Sequence, residues 1–326
     1  MHEPLVRAAV GQQARPGLGF VSDLHLRSVW RASGGGSPAS ADATVARAMR
    51  CLYVDLDGTL LGPNASLLRG ADGGFNTLSI RALEACWRAD VEVVLYSGRR
   101  QGSVFESARL IGSSAYIFEL GCGLVLDDDL EWLTDGLVPS PTLGSIFEQI
   151  EATGAPGLLL ERYRGQLEYH TPWSHDREVS HLFRGAVDLD DAQATLDAAG
   201  FESLRLVDNG VVRAHAEQMD GLSVLHAYHL IPATASKARA VARHMQTRGY
   251  SADDCIAVGD SREDMDAAAV VGTFWLVANA LDRDPTLSSE IAGRSGVRIA
   301  EESYGAGVYE AVVTTLLERR AQPSGS

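Results

Sequence analysis

The sequence predicts an α/β fold: a doubly wound, mostly parallel sheet into which a smaller α+β domain is inserted. Three observations predict it. From Met49 onward short apolar runs alternate with helical patterns, the rhythm of a parallel sheet layered between helices. Between about 133 and 231 that rhythm breaks, and paired strands replace single ones. The 326 residues also exceed the roughly 250–300 at which a single core stops growing.

Residues 1–48 come first and differ from the rest. They run into Ala-Ser-Gly-Gly-Gly-Ser-Pro-Ala-Ser-Ala, a composition with little to bury, which predicts a flexible extension and makes Met49 a candidate start of the globular chain. Buried parallel strands of a Rossmann-like sheet are then expected at 51–54, 91–96, 115–118, 255–258 and 273–277. The helices expected with them lie near 77–89, 102–111, 236–248 and 305–319. The interrupting stretch reads as helix 143–152, strands 158–163, 166–170 and 179–187, helix 191–199, and strands 203–208 and 211–216. Arg164-Gly165 and Asn209-Gly210 mark two tight hairpins in it. The expected organisation is a core of 49–132 and 232–320, an insert of 133–231 and a flexible tail at 321–326.

Composition narrows the function. Hydrophobic residues at 45% and charged residues at 22% describe an ordinary globular protein. A net charge of -15 argues against a nucleic-acid surface, which needs clustered Lys and Arg. Cys51, Cys86, Cys122 and Cys255 are scattered without CxxC spacing, so they read as buried thiols rather than a disulfide framework or a zinc site. No apolar run reaches the roughly 18 residues that would span a bilayer, and no secretory pattern opens the chain. A cytoplasmic protein without membrane partners is expected.

The chemistry is concentrated in four segments. Asp55-Leu56-Asp57-Gly58-Thr59-Leu60-Leu61 follows an apolar strand, where ligand sites of open α/β sheets gather. Two close carboxylates repel unless a cation neutralises them, which invites a hard divalent ion. A carboxylate held against such an ion can attack phosphorus and split one difficult step into two. Val93-Val94-Leu95-Tyr96-Ser97-Gly98-Arg99 is a strand ending in a hydroxyl that can hold a phosphoryl oxygen together with the following amides. Lys237 opens a helix in a chain with few lysines. Cys255-Ile-Ala-Val-Gly-Asp260-Ser-Arg-Glu-Asp264-Met265 is a strand, a Gly turn and two carboxylates on one helix face.

In this order the segments resemble the four signatures of the haloacid dehalogenase superfamily, whose usual chemistry is phosphoryl transfer. The resemblance covers about 49–125 and 231–320. It implies that Asp55 is the nucleophile, Asp57 the general acid/base, and Ser97 and Lys237 the groups that bind and neutralise the phosphoryl. It further implies Mg2+ held by Asp55, the Asp57 backbone carbonyl, Asp260, and Asp264 directly or through water. Glu263 departs from the pattern, since many relatives carry Asn there; Asp266 reads as a solvated helix residue. Glu119-Leu120-Gly121 resembles the Glu-Asn-Gly segment before the insert of such phosphatases, and Val277-Ala278-Asn279-Ala280 resembles their late loop near the metal.

An insert of this size resembles the type IIB cap found in sugar phosphatases and mannosyl-3-phosphoglycerate phosphatase. Caps exclude water and select substrates. A small phosphorylated metabolite, a sugar phosphate or a phosphoglycerate-type acid, is the expected substrate. Arg99, Trp173, His175, Arg177 and Asn279 are its candidate contacts, with Arg100 as a further anion contact; Arg177 suits a bidentate clamp. The loop 62–76 is expected to shape the entrance or lie on the surface. A phosphosugar mutase or phosphotransferase, and a receiver-like phospho-acceptor module, are the alternatives. Asp23-Leu24-His25 resembles the opening of calcineurin-like metallophosphoesterases. That family also needs an Asn-His pair, which the chain lacks, so Asp23 and His25 read as a coincidence.

Overall fold

The computed structural model describes residues 48–212, 219, 221, 222 and 224–321. The expected N-terminal extension with Asp23 and His25, the strand residues 213–216 and nearly all of the tail lie outside the described residues. In chain order the first elements are β1 (Cys51–Val54), α1 (Leu78–Arg88), β2 (Glu92–Tyr96), α2 (Gln101–Ile111), β3 (Ala115–Phe118), β4 (Gly123–Leu126) and β5 (Asp129–Trp132). Next come α3 (Ile146–Thr153), α4 (Ala155–Arg162), β6 (Leu167–Tyr169), β7 (His181–Gly185), α5 (Leu189–Ala198), β8 (Leu204–Val212) and β9 (Leu225–Pro232). The chain then returns through α6 (Lys237–Arg248), β10 (Cys255–Gly259), α7 (Arg262–Met265), β11 (Thr273–Leu276), α8 (Asn279–Arg283), α9 (Leu287–Ile291), β12 (Val297–Ile299) and α10 (Tyr304–Ala321).

The large sheet has the order β12-β11-β10-β1-β2-β3-β4-β5, parallel as far as β3 and antiparallel beyond it. It is the mixed α/β sheet that the alternating pattern predicts. Side chains alternate across it as the two-residue period demands. Leu52 and Val54 join Ala82, Cys86, Val308 and Val312 of α1 and α10 on one face. Cys51 and Tyr53 join Ala240, Val241 and Met245 of α6 on the other. Burying each such Leu or Val contributes about 1.5–3 kcal/mol. β1 lies between β2 and β10, so successive crossovers leave it in opposite directions. The crevice at its carboxyl end is therefore a topological switch point.

A second, antiparallel sheet has the order β6-β7-β9-β8 and its own core, with Ile150, Leu159, Phe183, Leu196 and Leu230 among its buried members. Several local expectations fail here. Residues 158–163 are not a strand: Pro156 sits in the first turn of α4, and Ala155, Leu159 and Tyr163 bury one helical face. Arg164-Gly165 therefore joins a helix to β6 rather than two strands. Asn209-Gly210 is a bulge inside β8, where the register shifts between Asp208 and Val211, and the partner strand is β9. The hairpin β4–β5 and the edge strand β12 extend the large sheet beyond the expected strands. The 62–76 loop contains a turn at Pro63–Ala65 and isolated bridges Gly62↔Ser66 and Arg69↔Phe75. Among the described residues no helix is long and apolar enough to cross a membrane.

Candidate active site

β1 delivers Asp55 by continuing its ladder, with Asp55 N donating to Val258 O at 3.1 Å. The chain then turns back on itself, Leu60 N donating to Asp55 O at 3.1 Å and Leu61 N to Leu56 O at 2.8 Å. Gly58 makes this turn at φ +92, and a Cβ there would collide with Asp260 Oδ2 and the Arg283 guanidinium. β10 delivers Asp260, and Ser261 caps the short helix behind it. Asp264 Oδ2 accepts the N–H groups of Asp260 and Ser261, each at 3.1 Å, and the Ser261 hydroxyl at 2.7 Å. Ser97, buried at the end of β2, completes the floor.

Lys237 stands at the centre, at the first position of α6 behind the cap Ser236. It is the one lysine of a chain with 28 Lys and Arg in total. Its ammonium donates to Asp55 Oδ1 at 2.8 Å and to Asp264 Oδ1 at 2.6 Å, and lies 4.9 Å from the Tyr96 ring centroid. Burial works against its charge, but Asp264 and Asp55 outweigh burial and hold its pKa above the ordinary lysine value. Burial pushes the Asp55 carboxyl well up, and Lys237 offsets only part of that. Asp260 is pushed up to about 6 by burial, with Arg283 opposing. Arg283 pairs with Asp260 Oδ2, and Thr59 donates to Oδ1 at 3.1 Å.

Asp55, Asp260 and Asp264 each bring a carboxylate oxygen within 4.8 Å of the others. Two buried acids and the part-buried Asp260, with Lys237 and Arg283 as the neighbouring cations, form an all-oxygen donor set that suits a hard divalent cation. Asp57 faces outward, half exposed, and both its oxygens are taken by Arg99, with Nη2–Oδ1 at 2.6 Å and Nε–Oδ2 in contact. Above this floor opens a cavity of about 710 Å³. Trp173, His175, Arg100, His170, Asn209 and the His226–Asp208 pair (2.7 Å) line its upper walls.

Two expected substrate contacts have other duties. Arg177 is buried, and its guanidinium is spent inside the protein. It donates to Ser180 Oγ at 2.8 Å, Gly98 O at 2.5 Å and Trp173 O at 3.2 Å, and it faces Glu119 at 3.6 Å. Glu119, wholly buried after β3, accepts the N–H groups of Glu178, Val179 and Ser180 at 2.8, 3.2 and 2.5 Å. Burial raises its pKa, yet Arg177 and these donors hold it below the ordinary glutamate value. Arg177 thus lines the cavity while its guanidinium is held by Ser180, Gly98, Trp173 and Glu119, as a strut between the two sheets. Asn279 does not line the cavity; its amide donates to Gly58 O at 2.8 Å and accepts from Tyr304 N at 2.7 Å, fixing the turn after β1.

The sequence reading missed Glu119, Arg283, Thr59 and Arg205 as site-building residues. Thr59 and Glu119 sat inside recognised segments, whereas Arg283 and Arg205 carried no local signal. Glu263 faces Arg205 of β8 at 3.6 Å and accepts Lys237 N at 3.3 Å. Burial pushes it up to about 7, against Arg205 and Lys237. In the position where Asn was expected, it ties the second sheet to the start of α6.

No family model matches the chain. A phosphoglycolate phosphatase of Archaeoglobus fulgidus is 26% identical over 237 residues, covering 72% of this chain and 86% of that protein. The sucrose-phosphatase of a Synechocystis species, solved with sucrose and phosphate, superposes with a TM-score of 0.56 at 15% identity, covering 82% of this chain and 98% of that one. A haloacid dehalogenase-like hydrolase of Bacteroides thetaiotaomicron gives 0.51 at 13% identity, over 81% of this chain and 98% of that one. The chain thus shares the fold of capped haloacid dehalogenase-like hydrolases, and its sequence is similar to that of phosphoglycolate phosphatases.

Proposed function

We propose that the chain is a magnesium-dependent phosphatase of small phosphorylated metabolites, working through an aspartyl-phosphate on Asp55. One observation carries this reading. Asp55 lies on the floor of a roofed cavity with its carboxylate gripped by Lys237, and Asp57 stands two residues on in the same cavity. Asp55, the Asp57 carbonyl and Asp260 would hold the magnesium. Asp264, whose oxygens also meet Lys237 and backbone amides, would hold the ion directly or through water. A magnesium ion held by these residues would supply positive charge to offset that of the phosphoryl group and of Asp55.

In the first step Asp55 attacks phosphorus, the bond to the leaving oxygen breaks, and Asp57 protonates that oxygen. In the second, Asp57 takes a proton from water, which displaces Asp55 and releases inorganic phosphate. Lys237 and Ser97 stabilise the phosphoryl charge throughout. Arg99 occupies both oxygens of Asp57, so the substrate must draw Arg99 away before Asp57 can handle a proton.

We take 49–132 and 232–320 as the catalytic core and 133–231 as the cap. The cavity size and its His-, Trp- and Arg-bearing walls suit a sugar phosphate or a phosphorylated hydroxy acid. The relatives named for phosphoglycolate and sucrose phosphate support that class. The four buried thiols are free, which suits the reducing cytoplasm. A magnesium-supplemented screen of phosphorylated metabolites, reading inorganic phosphate, tests the proposal. Release from sugar phosphates or phospho-acids supports it. A long-lived phosphoprotein without phosphate release would favour a receiver-like module, and an isomeric phosphosugar product would favour a mutase.

A further inference from the structure

At the opposite, amino-terminal end of the same strands a second group of ligand-type side chains converges. The parallel register sets Glu92, Cys51 and Cys255 side by side across β2, β1 and β10. Residues opposite one another in a ladder point to the same face. α6 crosses that face and brings His244 over the row. Ligand atoms of Cys51, Glu92 and His244 lie within 4.8 Å of one another. The ladder register places Cys255 directly beside Cys51 on the same face, so Cys255 can offer a fourth position.

A second observation points to a ligand. The His244 side chain is wholly buried, and its Nε2 has no hydrogen-bond partner among the described residues. Glu92 Oε2 is 3.7 Å away, beyond hydrogen-bonding distance. Leaving a buried nitrogen unpaired is costly. The other ring nitrogen is anchored, Nδ1 lying 2.7 Å from the Tyr53 hydroxyl. That partner can accept an Nδ1–H and leave Nε2 with a lone pair on the side of Glu92, the arrangement that orients metal-bound histidines.

We propose that Cys51, Cys255, His244 and Glu92 form a structural site for a thiophilic divalent cation of the zinc type. Two thiolates with an imidazole select such an ion over magnesium, and four protein ligands make a closed tetrahedral site. Binding releases the two thiol protons to solvent. Two thiolates and a carboxylate exceed the ion's charge by one. Arg248, which reaches Glu92 at 3.0 and 3.1 Å, supplies the balance. Glu92 is partly exposed, which gives the ion an entry path. The site would clamp the amino ends of the three strands whose carboxyl ends deliver Ser97, Asp55 and Asp260. The scattered cysteine spacing hid it, because sheet register rather than sequence proximity brings the ligands together.

The test uses the full-length protein made in zinc-supplemented medium and purified without chelators. Elemental analysis should find one zinc per chain. Exchange for cobalt(II) should give a thiolate-to-cobalt charge-transfer band and intense tetrahedral bands. His244→Gln and Cys255→Ala should lose these bands, Tyr53→Phe should weaken cobalt binding roughly 10–100-fold, and Asp260→Asn should keep them. Circular dichroism checks that each variant folds; if the cysteine variants do not, the wild-type metal content and spectrum still decide. Folded wild-type protein without zinc and without a thiolate-to-cobalt band overturns the proposal. So does a band that survives Cys51→Ala with Cys255→Ala.

Discussion

Lys237 shows how much one side chain can hold together. A guanidinium is planar and wider than an ammonium, and it cannot replace a point charge squeezed between Asp55 Oδ1 and Asp264 Oδ1 at 2.8 and 2.6 Å. Lys237→Met should lower kcat by about 10²–10³-fold, the range for removing one preorganised charge from a transition state. Lys237→Arg should not restore the rate in steady-state phosphate release; a recovered rate would mean that charge alone suffices there. Arg177 leads to a different expectation. Removing one partner of the buried Arg177–Glu119 pair should cost about 3 kcal/mol in urea unfolding, without reordering substrate preference. A changed ranking at unchanged stability would return Arg177 to the role of substrate contact. The placement of these residues was unevenly legible in the sequence. Asp55, Ser97, Lys237, Asp260 and Asp264 follow strands or open helices, so local pattern places them. Arg177 and Asn279 are polar residues whose partners, Gly98 and Gly58, come from distant segments, and only the fold reveals that they are occupied.

At the scale of elements, the turn after β1 is the critical piece. Gly58 adopts φ +92, and any Cβ there would press on Asp260 and Arg283. Gly58→Ala should cost about 1–2 kcal/mol from the left-handed backbone alone and should displace the metal-facing carboxylate. The expected signature is a raised magnesium requirement in a titration of activity against the ion; an unchanged requirement would contradict it. The large sheet was legible because its strands are short, apolar and spaced by helices. The second sheet was less so. Leu158-Leu159-Leu160 is too short a run to separate helix from strand by period, and Pro156 was the overlooked signal. β9 carries His226 and His229 toward the cavity, which masks its apolar alternation, while Asn209-Gly210 imitates a hairpin turn.

For the whole molecule, the two sheets are joined by buried polar contacts, and these make its stability depend on pH. His229 hydrogen-bonds Ser180 at 3.1 Å beside the Arg177 strut. Burial, with Arg177 and Lys237 nearby, holds its pKa well below the ordinary histidine value. The unfolded chain takes up a proton at this imidazole below about pH 6.5, and the folded one does not. The unfolded state therefore binds more protons as pH falls, and stability declines on the acid side. His229→Gln should flatten the fall in Tm between neutral pH and pH 5 relative to wild type. An equally steep fall would remove His229 from the account.

The claim that organises the molecule is that Asp55 carries the phosphoryl group. Rapid acid quench during turnover, followed by borohydride reduction and peptide mass spectrometry, converts an aspartyl-phosphate into homoserine at its own position. Homoserine at position 55, more abundant in Asp57→Asn and absent without substrate, is the predicted result. An unmodified Asp55 during active turnover, or phosphate release by Asp55→Asn at the wild-type rate, would contradict it.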